Sequence, residues 1–218
     1  MTLDVKICGL KSPEALDAAI LRGASHVGFV HFERSPRHLA LGAMAELAEI
    51  ARGRAQIVIV TVDPGDDLVD KIRREVRPDW LQLHGKESPE RVAAIKGRSG
   101  LKVMKALAVS TYDDLLPVDA YRPVADALLL DSKRPKGSVL PGGNGLSFDW
   151  QILAALDPAI GFMLSGGLNA DNVSDALRIA RPAGLDISSG VESAPGVKDI
   201  GRIHAFFDAL ERSLERAA

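Results

Sequence analysis

Short apolar runs of strand length recur along the chain and alternate with longer segments that are apolar on one side only. Most of the runs lack alternating polar residues, which is typical of parallel strands buried on both faces beneath helices. Eight runs are predicted to be strands: Val5–Cys8, His26–Val30, Gln56–Thr61, Trp80–Leu83, Lys102–Ala106, Ala127–Leu130, Phe162–Leu164 and Leu185–Ile187.

The amphipathic segments between these runs are predicted to be helices. Ser12–Arg22 opens with a serine suited to N-capping and has Pro13 at the first helical position. Asn169 is expected to cap a later helix in the same way, and Pro117 disfavours a regular helix around it. The remaining helices are predicted at Leu41–Arg52, Asp66–Val76, from Ser88 and Pro89 onward, Tyr112–Tyr121, Asp149–Ala155, Ala170–Ala180 and Val197–Arg212.

Eight strands alternating with eight helices predict an α/β protein with a parallel sheet, either an open doubly wound sheet or a closed barrel. In a barrel the active site gathers in the loops after the strands. Residues suited to chemistry follow or end the predicted strands here: Cys8, Gly9, His31, Arg37, Asp63, His84, Asp131, Gly166, Gly167, Ser188 and Gly190. We therefore predict a (β/α)8 TIM barrel, with residues 1–218 forming a single domain because no linker divides the sequence.

Composition narrows the class of protein further. Aromatic residues make up only 5% of the chain, so the core is expected to be aliphatic, and a net charge of −2 gives no electrostatic footprint for nucleic acid or an anionic membrane. The single cysteine excludes a disulfide framework and favours a reducing compartment. We expect a cytoplasmic protein, a monomer or weak homodimer, without a membrane span.

Cys8 and Asp131 form the first candidate pair for chemistry. Cys8 ends the first predicted strand and Asp131 follows the sixth, so in a closed barrel they face each other across the mouth. A base on one side of a sugar and an acid on the other would suit proton-transfer catalysis. Either Lys6 or a helix N-terminus could lower the pKa of the thiol towards neutrality, which would make it the more reactive base. The alternatives are a small buried cysteine and a loop-capping carboxylate.

Two glycine-rich loops form the second candidate site. Gly166 and Gly167 follow the seventh strand, and Ser189 and Gly190 follow the eighth. Barrel enzymes frequently bind phosphate with the loops after these two strands, through backbone N–H groups. The alternative is a pair of tight turns that need a positive φ. The segment 142–145, which includes Gly142 and Gly143, is not a P-loop and is expected to lend backbone to the same phosphate.

Arg37 and His84 are two further candidates for substrate binding. Arg37 could hold a carboxylate through a bidentate contact, or it could be a solvated surface residue. His84 could orient a substrate hydroxyl, or it could be a hydrogen-bonded structural histidine. No residues have the spacing of a transition-metal site, and a hard-cation site at Asp63 and Asp131 is a weaker alternative.

Seven motif blocks follow one another along the chain: Val5–Gly9, Gly28–Val30 with Ser35–Arg37, Leu81–Gly85, Leu129–Ser132, Pro141–Gly145 with Phe148–Trp150, Leu164–Leu168 and Asp186–Glu192. In this order they resemble the motifs of the phosphoribosylanthranilate isomerase family, and the match runs from near the N-terminus to Asp199. The first and the last block are specific to this family among phosphate-binding barrels.

The resemblance implies a cofactor-free Amadori rearrangement in tryptophan biosynthesis, with a phosphorylated small molecule as the substrate. It implies that Asp131 is the general acid that opens the furanose ring and that Cys8 is the general base at C2′. Arg37 would hold the anthranilate carboxylate. The backbone at Gly166–Gly167 and Ser189–Gly190 would hold the phosphate, with Gly142–Gly143 closing over it.

Four other hypotheses remain beside this one. The histidine-pathway isomerase family has a carboxylate where this chain has Cys8, and a metal-dependent epimerase needs a His/Asp set that is missing. An indoleglycerol-phosphate synthase needs a catalytic lysine, for which Lys6 and Lys105 are available but their surrounding motifs do not match. A non-catalytic sensor of a phosphorylated ligand would not need the acid–base pair.

Overall fold

A computed structural model of the chain describes residues 3–133 and 148–216. Its eight parallel strands pair in chain order, and the eighth pairs with the first, so the sheet closes into a barrel. The predicted (β/α)8 class is confirmed, with strand bounds close to the predicted ones. The strands are β1 Asp4–Cys8, β2 His26–Val30, β3 Gln56–Thr61, β4 Trp80–Leu83, β5 Lys102–Val109, β6 Ala127–Ser132, β7 Met163–Leu164 and β8 Gly184–Ile187.

Helices cover the outside of the barrel and pack on one aliphatic core. The first has Ser12 as its N-cap and Pro13 at its first position, as predicted. No helix in the described part of the chain is long and apolar enough to cross a membrane. The α-helices are α1 Pro13–Leu21, α2 Leu41–Ala51, α3 Asp66–Glu75, α4 Pro89–Ser99, α5 Val118–Tyr121, α6 Val173–Ala180 and α7 Ile200–Glu215.

The helices after β5 and β6 differ from the prediction. The segment Tyr112–Tyr121 splits into a 3₁₀ turn, Tyr112–Leu115, and the short α5, because Pro117 between them has no N–H to donate. After β6 the described chain resumes with a 3₁₀ helix, Trp150–Ala155, instead of an α-helix. Both predicted segments are helical, but neither is one continuous α-helix, as Pro117 indicated for the first of them.

Two helix starts in the last quarter of the chain also differ. Helix α6 begins only at Val173, and Asn169 does not cap it: the Asn169 Oδ1 accepts from the N–H of Asp171 at 2.8 Å and that of Asn172 at 3.2 Å, which closes a separate turn. Residues near 197 form a small hairpin of β9 Glu192–Ala194 and β10 Val197–Lys198, so α7 begins three residues later than predicted.

The barrel interior has an apolar layer and a polar layer. Alternate residues of a strand point to opposite faces, so residues two apart on one strand share the interior. Leu129 on β6 belongs to an interior apolar cluster with Met104, Ala106 and Met163, which lies towards the amino ends of the strands. Asp131 is two residues further along β6 and is 1% exposed, so the polar layer begins one step nearer the carboxyl ends.

Candidate active site

A cleft opens at the carboxyl ends of the strands, where barrel enzymes have their active sites. Most of the predicted site residues line it: Cys8, Arg37, His84, Asp131, Gly166, Gly167 and Ser189. Gly190 instead lines a neighbouring pocket, which shares Gly167 and Ser189 with the cleft. Gly142 and Gly143 lie outside the described residues.

The thiol stands on one side of this cleft, at the end of β1, above a buried ion pair. Lys6 on the same strand bonds Asp186 of β8, with 2.8 Å between Nζ and Oδ1, and the Ser165 hydroxyl donates to Asp186 Oδ2 at 3.3 Å. A Cβ built on Gly28 would lie 3.0 Å from the Lys6 Nζ and 3.1 Å from the Cys8 Sγ. The ammonium and the sulfur therefore converge over the backbone of β2.

Burial raises the pKa of the Cys8 thiol, and the Lys6 ammonium beside it lowers that pKa by less. Lys6 does lower this pKa, but desolvation of the thiolate outweighs the favourable charge, so the pKa of Cys8 stays above its ordinary value. Although burial disfavours its charge, Asp186 holds the pKa of Lys6 above the ordinary value, so the lysine remains a cation.

The carboxyl stands three strands away around the barrel, at the end of β6. One Asp131 oxygen, Oδ1, accepts from the backbone N–H of Ser132 at 2.9 Å, and the other, Oδ2, lies 3.2 Å from the Nε2 of His84. The Nδ1 of His84 lies 3.1 Å from the side-chain nitrogen of Gln82. His84 therefore contacts the candidate acid, a contact that its sequence position did not reveal, and it also lines the cleft.

Arg37 is buried at the cleft and is not a solvated surface residue. Its Nε and Nη2 donate to the two carboxylate oxygens of Glu192 at 2.7 and 2.8 Å. Gly9 has a φ of +77°, and a Cβ there would come within 2.5 Å of the Arg37 Cδ, so the glycine after Cys8 makes room for this arginine.

Sequence reasoning assigned no role to Glu192 or Lys198. The Lys198 Nζ donates to Glu192 Oε1 at 2.6 Å and to the Ser188 carbonyl at 2.9 Å. Although burial disfavours the charge of Glu192, the hydrogen bond from Arg37 and the charge of Lys198 hold its pKa below the ordinary value. The carboxylate is therefore ionised, and it fixes two cations beside the thiol strand.

The loops after β7 and β8 meet on the side of the cleft between the thiol strand β1 and the carboxyl strand β6. A Cβ added to Gly190 would lie 1.9 Å from the Leu168 carbonyl oxygen, so the two loops touch backbone to backbone there. Ser189 opens a 3₁₀ turn, Ser189–Val191, and lines the cleft together with Gly166 and Gly167. The four residues predicted to hold a phosphate, Gly166, Gly167, Ser189 and Gly190, therefore lie close together.

The hard-cation alternative gains no support from the described residues. The Asp63 Oδ1 accepts from the Lys86 N–H at 2.6 Å, and Asp63 does not line the cleft. Residues 3–133 and 148–216 contain no group of three or more His, Cys, Asp or Glu side chains that could hold a metal ion.

The two lysines considered for a synthase do not stand free at the cleft. Lys105 is buried outside the barrel interior, where its Nζ bonds Glu87 at 2.6 Å and the Gly85 carbonyl at 2.8 Å. Lys6 is paired with Asp186. Neither lysine lines the cleft.

A closed barrel that presents a thiol and a carboxyl to one small-molecule cleft defines a (β/α)8-barrel enzyme equipped for acid–base chemistry. The family model described as "N-(5'phosphoribosyl)anthranilate (PRA) isomerase" matches residues 5–209. The chain belongs to this family, and it is an isomerase of tryptophan biosynthesis.

Individual relatives agree with the family match. The N-(5'-phosphoribosyl)anthranilate isomerase of Rhizobium johnstonii is 56% identical over 213 residues, which cover 98% of this chain and 96% of the relative. The phosphoribosyl anthranilate isomerase structure from Thermotoga maritima has a TM-score of 0.86 at 32% identity, covering 97% of this chain and all of that one. A further isomerase structure, solved with reduced 1-(o-carboxyphenylamino)-1-deoxyribulose 5-phosphate, has a TM-score of 0.84 at 30% identity, with coverage of 97% and 100%.

Proposed function

We propose that the chain converts N-(5′-phosphoribosyl)anthranilate into 1-(o-carboxyphenylamino)-1-deoxyribulose 5-phosphate, with Asp131 as the acid and Cys8 as the base. One observation carries the assignment of roles: these two side chains reach the same cleft from strands that stand three places apart in the closed barrel. The solved relative with a reduced form of that product bound supports the choice of ligand.

The reaction needs two proton transfers and no net oxidation. Asp131 gives its proton to the furanose ring oxygen as the bond between that oxygen and C1′ breaks, which leaves an iminium ion. The Cys8 thiolate then takes the proton from C2′, and the electron pair of that C–H bond neutralises the iminium to give an enolamine. Tautomerisation of the enolamine gives the ketone product. Positioned acids and bases of this kind each contribute about 10²–10⁴-fold to the rate.

Binding is assigned to the rest of the cleft. Arg37 holds the anthranilate carboxylate, and its own contact with Glu192 fixes the plane of the guanidinium. The loops after β7 and β8 hold the phosphate through backbone at Gly166, Gly167, Ser189 and Gly190. Gly142 and Gly143, which lie outside the described residues, are proposed to close over it.

A fluorescence assay tests the proposal directly. The purified protein is mixed with N-(5′-phosphoribosyl)anthranilate, and the loss of anthranilate-type fluorescence is followed beside a parallel assay on the histidine-pathway substrate. We expect the wild-type protein to turn over the first substrate and the Asp131→Asn variant to lose this activity. Binding without turnover would contradict the proposal, and turnover of the second substrate alone would reassign the substrate.

We also propose that the chain works as one domain and as a monomer or weak homodimer. Its exposed large apolar side chains include Leu21 at the end of α1, Leu116 before α5 and Ile200 at the start of α7, which are separate elements. Sedimentation velocity at two protein concentrations tests this, and a dimer that persists at nanomolar concentration would contradict it.

A further inference from the structure

Gln82 is a buried polar residue that the proposed reaction leaves without a role. It lies on β4, it is 1% exposed, and it lines the same cleft as Cys8 and Asp131. Its amide nitrogen lies 3.1 Å from the Nδ1 of His84, whereas its amide oxygen has no hydrogen-bond partner among the described residues.

Stability alone does not explain an amide at this position. A buried carbonyl oxygen without a partner costs about 1–3 kcal/mol, and an apolar side chain of similar volume would avoid that cost. Its register neighbour on β5 is Met104, which belongs to the apolar interior cluster. The barrel interior beside Gln82 therefore accepts apolar side chains, and the amide is better explained by what it contacts.

The donor and acceptor roles in this contact depend on which nitrogen of His84 carries the proton. An amide NH₂ can only donate, and a neutral imidazole has one donor nitrogen and one acceptor nitrogen. A hydrogen bond from Gln82 therefore makes Nδ1 the acceptor and leaves the proton on Nε2. That nitrogen lies 3.2 Å from Asp131 Oδ2, to which it can then donate.

We propose that Gln82 is a positioning residue for the ring-opening acid: it fixes His84 as the Nε2–H tautomer, and His84 then orients the Asp131 carboxyl. With this donation, each Asp131 oxygen has one donor: the Ser132 N–H on Oδ1, and the Nε2–H of His84, which lies 3.2 Å from Oδ2. Both hydrogen bonds stabilise the carboxylate that remains after the proton has moved to the substrate. This inference rests on the proposed role of Asp131 as the acid.

Kinetics of Gln82→Met test the proposal, because methionine keeps the length of the side chain and removes the donor. We expect kcat to fall about 10–100-fold, with little change in KM. This is the range for residues that orient a functional group through a hydrogen bond. Met104→Leu, one strand away and outside the cleft, is the matched control and is expected to keep its kcat. A Gln82→Met enzyme with wild-type kcat would overturn the proposal.

A double variant shows whether Gln82 acts through His84. Gln82→Met combined with His84→Asn is expected to be no slower than His84→Asn alone, because the tautomer no longer matters once the imidazole is gone. A further loss of the same size as in the single variant would show that Gln82 acts by another route. If Asp131→Asn keeps its activity, the acid assignment itself fails; if only Gln82→Met is unaffected, the positioning role alone fails.

Nitrogen NMR reports the tautomer of His84, which would not change in Gln82→Met if Gln82 had only a structural role. In long-range ¹H–¹⁵N spectra, the ring signals that disappear in His84→Asn are assigned to His84. The wild-type protein is expected to show the Nε2–H tautomer, and Gln82→Met a mixture of tautomers, with unchanged spectra for the other four histidines. An Nδ1–H tautomer in the wild-type protein would refute the assignment.

Discussion

The two sides of the cleft differ in how they prepare their reactive group. Around the thiol the structure places charges: the Lys6–Asp186 pair lies directly beneath it, and the Lys198–Glu192 pair lies further along the same edge. Around the carboxyl it places the Ser132 backbone N–H, which donates to Oδ1, and the imidazole of His84, whose Nε2 lies 3.2 Å from Oδ2. Nearby charges therefore control the ionisation of the base, whereas directional contacts control the orientation of the acid.

This difference determines how each side should respond to substitution. A buried charge acts over several ångströms, so its removal shifts the pH at which the base ionises without changing the geometry. A hydrogen bond acts only at short distance and in one orientation, so its loss lowers the rate without shifting the pH at which the base ionises. The following variants test this division, from the largest expected effect to the smallest.

Removal of either reactive group should have the largest effect. Cys8→Ala and Asp131→Asn are each expected to lower kcat by about 10²–10⁴-fold or more, because the reaction loses its positioned base or acid. Both changes are small in volume, so the folded state should persist in thermal unfolding measured by circular dichroism. A variant that retained near-normal kcat would remove that residue from the mechanism.

The pH dependence separates the two groups. A base works only when deprotonated, and burial raises the pKa of Cys8, so kcat/KM should rise with pH on the alkaline side until the thiolate is fully formed. Cys8→Ala should lack this limb in its residual activity, whereas Asp131→Asn should retain it. An identical rising limb in both variants would show that another group is responsible.

Arg37 should have an intermediate effect, on binding and not on proton transfer. Loss of a hydrogen bond to a charged partner costs about 1.5–3 kcal/mol, which corresponds to roughly a 10–100-fold higher KM for Arg37→Ala. Glu192→Gln leaves the arginine in place without its anchor, so its KM should rise less than that of Arg37→Ala. An unchanged KM in Arg37→Ala would exclude a contact with the substrate.

A surface pair provides the control for this experiment. Arg98 bonds Asp70 on the outside of the barrel, between α4 and α3, with 2.6 Å between Nη2 and Oδ2. Asp70→Asn removes a carboxylate from an arginine as Glu192→Gln does, but far from the cleft, and should leave KM unchanged. If both variants raise KM equally, the effect arises from a general loss of charge and not from the position of Arg37.

Much of this molecule could be predicted from its sequence, because the strands carry local signals. Each strand is a short apolar run, and the residues that end the strands share one face of any closed parallel barrel. That geometry alone predicts Cys8 and Asp131 at one cleft. The helix starts were less predictable: Asn169 has the right residue type for an N-cap, but it closes a turn of its own instead.

The contacts behind the reactive groups were beyond sequence reasoning. In the sequence, nothing distinguishes Gln82 from the other residues of a buried strand, or Glu192 from any other acidic residue after β8. Their roles arise from partners distant along the chain, such as Arg37, which lies 155 positions before Glu192. A single sequence does not show which polar side chains meet, since burial, strand register and side-chain length together decide it.

Lys6 should have the smallest effect on the maximal rate, and it is the sharpest test of the electrostatic side. Removal of the Lys6 ammonium leaves the negative charge of Asp186 without its partner. The missing positive charge and the remaining negative charge both disfavour the thiolate. Lys6→Met should therefore move the rising limb to higher pH, with little change in the rate above it. Asp186→Asn removes the opposing charge and should move the limb to lower pH.

Folding is the competing explanation, because breaking a buried ion pair costs about 3–5 kcal/mol. The chain offers a matched control in Lys105 and Glu87, which form an equally buried pair outside the cleft. Lys105→Met should lose a similar free energy of unfolding and leave the pH profile where it was. Opposite shifts in Lys6→Met and Asp186→Asn, with none in Lys105→Met, can arise only from charge acting on the thiol. Shifts of one sign in all three variants would mean that the profile reports loosened packing, and the contrast between the two sides of the cleft would fail.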